Sequence, residues 1–367
     1  MVHGQSALEI MDINQKFWRD KRVFLTGHTG FKGGWLALWL TDMGAQVFGY
    51  ALPPPTEPSF FNVIDLHRRL SSNKLSDIRN APALALAMQT AQADIVFHLA
   101  AQPLVRYSYN NPAETYEVNV MGTVNVMEAV RKTRSVKAVV NVTTDKCYEN
   151  QEWYWPYREN EMLGGFDPYS SSKSCSELVT SAYRRSFLNT SGIALASARA
   201  GNVIGGGDWA TDRLIPDILR AFDAKQMFVI RSPHAIRPWQ HVLEPLSGYL
   251  MLAEKLYTEG LSFAEPWNFG PESTENQSVH WIVETLASHL PNTSWQCTTE
   301  PQPHEANTLT LDSTKAKVRL NWRPQWNLRV AIEKTLSWHQ AWKQGSDMVE
   351  YSLQQIRIFE TKTERET

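Results

Sequence analysis

Arg22-Val23-Phe24-Leu25-Thr26-Gly27-His28-Thr29-Gly30-Phe31-Lys32-Gly33-Gly34 is the stretch on which the fold turns. Residues 22–26 are a short β-branched and aromatic run that reads as a strand, glycines follow at once, and residues 35–43 read as a helix. Strand, tight loop and helix open a βαβ unit. Gly27, Gly30 and Gly33 fall in a G-x-x-G-x-x-G spacing. Glycines at such a place let the backbone approach a pyrophosphate and aim a helix N-terminus at it.

Outward from the loop the rhythm repeats. Residues 46–50, 94–99, 138–143 and 193–197 have strand character, while 83–91, 113–131 and 169–187 read as helices. Apolar strands alternating with helices predict an α/β fold, a Rossmann-type doubly wound parallel sheet covered on both faces. The sheet is expected to end near residue 200. Beyond it Pro and Gly become frequent, tryptophans cluster (Trp209, Trp239, Trp267, Trp281) and the alternation weakens, which predicts a smaller mixed C-terminal substrate lobe. The expected division is a dinucleotide-binding domain over 18–200, a substrate lobe over 201–345 with some crossing of the chain between the two, and a tail over 346–367. Helical spacing returns at 328–342, and the charged end past Phe359 is expected to fray.

A chain of 367 residues exceeds what one hydrophobic core usually serves. With 36 Lys+Arg against 38 Asp+Glu the net charge is -2, which leaves no electrostatic footprint for nucleic acid or a membrane surface. Any phosphate recognition must be local. No apolar run approaches the roughly 20 residues that span a bilayer, and residues 1–22 lack a signal-peptide core, so the expected compartment is the cytoplasm. Cys147, Cys175 and Cys297 form neither a disulfide framework nor a zinc-ligand spacing, and no metal is expected.

A dinucleotide loop of this kind is ordinarily followed, about 20 residues on, by a carboxylate for the adenosine ribose. Here the second strand ends Gly49-Tyr50-Ala51-Leu52 with no carboxylate until Glu57. Asp77-Ile78 is the other candidate for the adenine end. Lys32, inside the loop, would favour a 2′-phosphate, so NAD and NADP both stand open. The loop residues Gly27, Thr29, Gly30, Phe31, Lys32 and Gly33 are candidate cofactor contacts, joined by Leu99, Ala100 and Ala101 at a strand end and Asn119 on the next helix.

Tyr169-Ser170-Ser171-Ser172-Lys173 puts a phenol and an ammonium on one helix face, four residues apart. A tyrosine near pKa ~10 is a poor base at neutral pH, but a neighbouring cation stabilises its phenolate. Tyr169 and Lys173 are therefore candidates both for catalysis and for cofactor contact. Thr143-Thr144-Asp145 closes another strand, and strand ends beside a dinucleotide crevice are where open α/β sheets place their chemistry. His98 reads as a packed strand residue.

Through these motifs the chain resembles the extended short-chain dehydrogenase/reductases, and among them the nucleotide-sugar 4,6-dehydratases, over 22–342. The segments Thr144-Asp145-Lys146-Cys147-Tyr148, Gly201-Asn202-Val203-Ile204-Gly205-Gly206-Gly207-Asp208-Trp209 with Arg213-Leu214-Ile215-Pro216, and Arg237-Pro238-Trp239-Gln240-His241-Val242 place it nearest the branch that acts on CDP-glucose. The resemblance implies a nucleotide-sugar substrate, a homodimer or homotetramer, and a part in deoxysugar synthesis for surface polysaccharides. It also implies roles. Tyr169, polarised by Lys173 and helped by Thr144, accepts the 4-hydroxyl proton as C4 gives hydride to NAD; Asp145 protonates the departing 6-hydroxyl; the hydride returns to C6. Lys146 stands where dTDP-glucose enzymes carry the glutamate that removes the C5 proton. It is either a neutral base or a cation that stabilises the enolate, and bringing a lysine from ~10.4 to about 7 would cost roughly 4 to 5 kcal/mol. Gln102, Asn202, Arg213, Leu214, Arg237 and Gln240 are the candidate substrate contacts, since the planar fork of arginine suits phosphate. Arg106 is a weaker one. Trp209 and Trp239 are candidates for stacking on the base. The alternatives are a 4-epimerase, which needs no acid to expel water, and a dinucleotide-sensing regulator without turnover.

Overall fold

The computed structural model describes residues 13–290, 294–298 and 306–361. Its centre is a seven-stranded sheet: β1 (Arg22–Thr26), β2 (Gln46–Ala51), β3 (Ser72–Leu75), β4 (Ile95–His98), β5 (Ala138–Val142), β6 (Ala194–Ala200) and β7 (Pro266–Phe269). The order is β7-β6-β5-β4-β1-β2-β3, and every neighbouring pair is parallel. Consecutive strands run outward from β1 in one direction and from β4 in the other. The β1/β4 boundary is thus the switch point, and a crevice opens at the C-terminal ends of these strands.

The strands β1, β4, β5 and β6 are almost wholly buried, as parallel strands sandwiched by helices must be. One face packs on α1 (Phe31–Asp42), which buries Trp35, Leu36, Leu38, Trp39 and Leu40. The other packs on α2 (Ala81–Ala91) and α3 (Gly122–Lys132) through Leu84, Met88, Val126 and Val130. Helix α4 (Pro168–Tyr183) starts where Asp167 caps it, its side chain accepting from the Ser170 amide. A third core, including Ile215, Leu219, Phe228, Ile282, Leu286 and Ile332, joins α5 (Leu214–Asp223) to the C-terminal elements.

Three expectations are corrected. The sheet does not end near residue 200: α6 (Leu243–Glu259) carries the chain back, and β7 pairs with β6 from Pro266↔Ser197 to Phe269↔Ala200. Four residues led by proline carry too little pattern to read as a strand, and only the partner strand makes them one. Edge strand β3, Ser-Asn-Lys-Leu, is exposed throughout, so it lacks the alternation that marks a half-buried strand. The helix expected over 113–131 is interrupted by a π-helical turn at Glu117–Met121.

The segment from 346, expected as a tail, is for the most part a packed helix. Helix α7 (Val279–His289) is followed by α8 (Leu328–Lys343) and α9 (Met348–Glu360). Leu353, Ile356 and Phe359 of α9 enter the main core, Trp338 donates to Ser352 Oγ at 2.9 Å, and Trp39 donates to Glu360 at 2.8 Å. From 362 onward the charged end lies outside the described residues.

Candidate active site

The crevice is built on contacts between strand ends. Thr26 closes β1 opposite His98 of β4; its Oγ1 lies 2.8 Å from His98 Nδ1 and accepts from the amides of Leu99 at 3.1 Å and Ala100 at 3.2 Å. His98 is pushed down to about 3 by burial, with the charge of Lys173 adding to it. It stays neutral and packs, as its strand position suggested. Gly27 has φ +80, and a Cβ there would stand 2.7 Å from the Ala100 amide nitrogen. A Cβ on Gly33 would stand 2.1 Å from the Gly27 carbonyl oxygen. Neither position admits a side chain, so the loop is drawn tight and the first turn of α1, whose leading amides have no partner within the helix, faces the cleft.

The loop also explains the absent ribose carboxylate. The His28 imidazole fills the space over Gly49 of β2, where a Cβ would come within 2.6 Å of the ring, and its Nε2 lies 2.7 Å from Asn73 Oδ1 of β3. An imidazole thus covers the end of the second strand.

Thr144, Asp145 and Tyr169 converge at the mouth of β5. Thr144 is extended, and its hydroxyl donates to Asp145 Oδ1 at 3.0 Å, accepts from the Lys146 amide at 3.3 Å, and is hydrogen-bonded to the Tyr169 phenol. All three side chains are buried. Burial raises the Asp145 carboxyl above the ordinary carboxylate range; the charges of Lys146 and Arg237 and the Thr144 hydroxyl hold that rise back. Its Oδ2 is buried without a partner, beside Gly201. Burial also raises the Tyr169 phenol, with Thr144 and Arg213 acting in the opposite sense.

Lys173 departs from expectation. Its ammonium donates to the Val142 carbonyl at 3.2 Å, and the cation with a leading effect on Tyr169 is Arg213. Burial lowers Lys173 to about 8, while Glu177, one turn along α4, raises it. Glu177 is in turn fixed by Arg199, Ser197 and Thr143, with Arg199 Nη2 at 2.8 Å.

Lys32 does not face the adenosine end. It donates to the Tyr249 hydroxyl at 3.4 Å, and burial together with Arg213 and Lys173 lowers it to about 7, opposed by Asp145. It therefore belongs to the catalytic end, and the ground for NADP in this residue is gone.

One cleft of about 1170 Å³ is lined by Gly27, Thr29, Gly30, Phe31, Lys32, Gly33, Asp77, Ile78, Leu99, Ala100 and Ala101 at its dinucleotide side. Thr144, Asp145, Lys146, Tyr169 and Lys173 line its centre, and Asn202, Arg213, Leu214, Arg237, Trp209 and Trp239 its far side. Three expected contacts are not there. Gln102 spends its amide on Leu104 and Thr115, Asn119 braces Gln102 against Ser172, and Gln240 donates to the Phe269 carbonyl at 2.8 Å. Each is a polar residue at the right strand end whose side chain is taken up in joining elements. Arg231 was missed; it lines the cleft and shares Asp212 with Arg106, at 3.1 and 3.3 Å, while Arg213 pairs with Asp208 at 2.8 Å. No motif surrounds Arg231, so sequence offered no signal for it.

A parallel sheet of this order, a glycine loop at its switch point and a tyrosine, threonine and carboxyl beside it define a dinucleotide-binding enzyme fold of the dehydratase and epimerase kind. The chain belongs to the GDP-mannose 4,6 dehydratase family, whose model matches residues 24–335. It is 53% identical to a CDP-glucose 4,6-dehydratase of Salmonella typhimurium over 96% of this chain and 100% of that one. A dTDP-glucose 4,6-dehydratase of Escherichia coli is 27% identical over 87% of this chain and 92% of its own. Among solved structures, a dTDP-glucose 4,6-dehydratase of Streptomyces venezuelae with NAD bound superposes at TM-score 0.75 and 22% identity, covering 89% of this chain and 99% of that one.

Proposed function

We propose that this chain converts CDP-glucose to CDP-4-dehydro-6-deoxyglucose and water, with NAD as a cofactor that ends each turnover as it began. The observation that carries the reading is Asp145: a buried carboxyl raised by its surroundings, one hydroxyl away from Tyr169. An epimerase has no use for such an acid, and a regulator without turnover has no use for either group. The 53% identity over almost the whole chain supports CDP-glucose as the substrate.

The residues fit a dinucleotide: the loop has no room for a Cβ at Gly27 or Gly33, and the first turn of α1 opens onto the cleft. NAD bound there supplies the acceptor for the C4 hydride and its return to C6. Tyr169, as phenolate, takes the 4-hydroxyl proton. Arg213 and Lys173 are the cations that favour that form. The resulting ketone acidifies the C5 hydrogen, which Lys146 or a group it assists removes. Asp145 hands its proton to the 6-hydroxyl, which leaves as water. Arg213, Arg231 and Arg237, with Asn202 and Leu214, hold the sugar diphosphate at the far side of the cleft. In this reading residues 18–200 chiefly bind the dinucleotide and 201–345 the nucleotide sugar, and the enzyme works in the cytoplasm as a homo-oligomer.

The test is incubation with CDP-glucose and NAD, following the 4-keto product by its absorbance in base. Parallel reactions with dTDP-glucose, UDP-glucose and GDP-mannose complete it. The expected result is product from CDP-glucose far above the others. Turnover of another nucleotide sugar instead overturns the substrate assignment, and no 4-keto product from any of them overturns the reaction.

A further inference from the structure

We propose that the Thr144 hydroxyl is a proton conduit that resets the site after each turnover, returning one proton from Tyr169 to Asp145. The inference rests on the dehydratase reading above and starts from a count of its protons. The O4–H bond breaks and its proton forms an O–H bond on Tyr169. The Asp145 O–H bond breaks and its proton leaves in water with O6. The C5 proton departs and comes back, and the hydride moves from C4 to C6. The sugar and water balance, but the protein does not return to its starting state: it begins as phenolate and carboxylic acid and finishes as phenol and carboxylate. One proton must cross from Tyr169 to Asp145 before the next substrate can react.

The structure contains one hydrogen-bonded path for it among the described residues. Tyr169 is bonded to Thr144, and Thr144 Oγ1 lies 3.0 Å from Asp145 Oδ1. The Lys146 amide occupies one acceptor position of that hydroxyl at 3.3 Å, so the Thr144 proton is left to point at either Tyr169 or Asp145. A hydroxyl so placed accepts a proton on one side and releases one on the other. Only O–H bonds are made and broken, with no redox partner.

Other routes are closed by burial. Thr144 and Tyr169 are each 8% exposed and Asp145 2%, and Asp145 Oδ2 abuts Gly201 without a hydrogen-bond partner. The Lys146 amide, the other group bonded to this pair, is backbone and cannot pass a proton on. Thr144 caps the short turn Asp145–Cys147 from the end of β5, which fixes its hydroxyl between the two.

The test compares first-turnover and steady-state rates of 4-keto formation by rapid quench, in wild type, Thr144→Val and Thr144→Ser. In T144V the ratio of steady-state to first-turnover rate is expected to fall at least about tenfold relative to wild type, the scale of a lost positioned proton transfer. T144S is expected to keep the wild-type ratio, and a small diffusible buffer such as imidazole to restore the T144V steady state without changing its first turnover. If both T144V rates fall by the same factor, Thr144 only assists the forward chemistry and the conduit is wrong. If wild type forms no 4-keto sugar, the dehydratase reading fails first and the conduit with it.

Discussion

At Lys32 burial and the charges of Arg213 and Lys173 bring the amine to about 7, against 10.5 when unperturbed. Below pH 7 the ammonium is present in folded and unfolded chains alike, and the folded protein bears the full cost of keeping it. Between about 7 and 10.5 the unfolded chain binds the extra proton, so stability rises with pH across that window. Lys32→Met is therefore expected to raise the thermal midpoint of the ligand-free protein by about 2 °C or more near pH 6.5, and the difference should shrink by pH 9. Scanning calorimetry at the two values checks it, and a gap that widens with pH contradicts it. Single residues were legible in sequence to different depths. Gly27, Gly33, Tyr169 and Asp145 could be picked out because backbone room or chemistry dictates their identity. Gln102, Asn119 and Gln240 could not be told from ligand contacts, because a side-chain amide at a strand end looks the same whether it faces a cleft or joins two elements.

Between elements, the main electrostatic tie is Glu177 of α4 against Arg199 of β6. Both side chains are 3% exposed, and Arg199 also donates to the Tyr148 hydroxyl at 2.8 Å. Burial alone would raise the Glu177 carboxyl, yet Arg199 and the hydroxyls of Thr143 and Ser197 hold it below its ordinary range. Glu177→Gln would leave the guanidinium uncompensated, and removing one partner of such a pair costs about 3 to 5 kcal/mol. The urea midpoint should fall accordingly, with unchanged slope. Because Glu177 also raises Lys173, the same variant should weaken the positive charge beneath the cleft. The double variant Glu177→Gln, Arg199→Met should recover part of the stability; no recovery would mean that packing rather than charge holds α4 to β6. Elements with a strong period, β1, β4, β5, α3 and α4, could be read directly from the chain. Strands β3 and β7 could not, since one is polar throughout and the other is four residues whose pairing, not pattern, makes them a strand.

At the scale of the whole molecule, the surface of the α3 and α4 helix pair is not what a monomer presents to water. Tyr116, in the turn leading to α3, is 37% exposed, Met121 52%, Leu178 58% and Phe187 40%. Tyr116 reaches across to α4, its hydroxyl donating to Ser171 Oγ at 3.1 Å, so these side chains sit on one packed pair of helices. Large exposed apolar side chains gathered on neighbouring helices mark a surface that a partner covers. A second copy of the chain is the partner this reading requires, through a two-fold contact in which each helix pair meets its own counterpart. Sedimentation of the wild type at micromolar concentration is then expected to give at least twice the 41.8 kDa of one chain. Leu178→Arg would place a charge from each copy at the seam, facing its counterpart, and should sediment as a single chain with an unchanged circular dichroism spectrum. Leu178 does not line the cleft, so any loss of turnover in the monomeric variant would measure what association contributes to the site rather than damage to it. A wild type that sediments as one chain, or an L178R variant that still associates, would rule out this face.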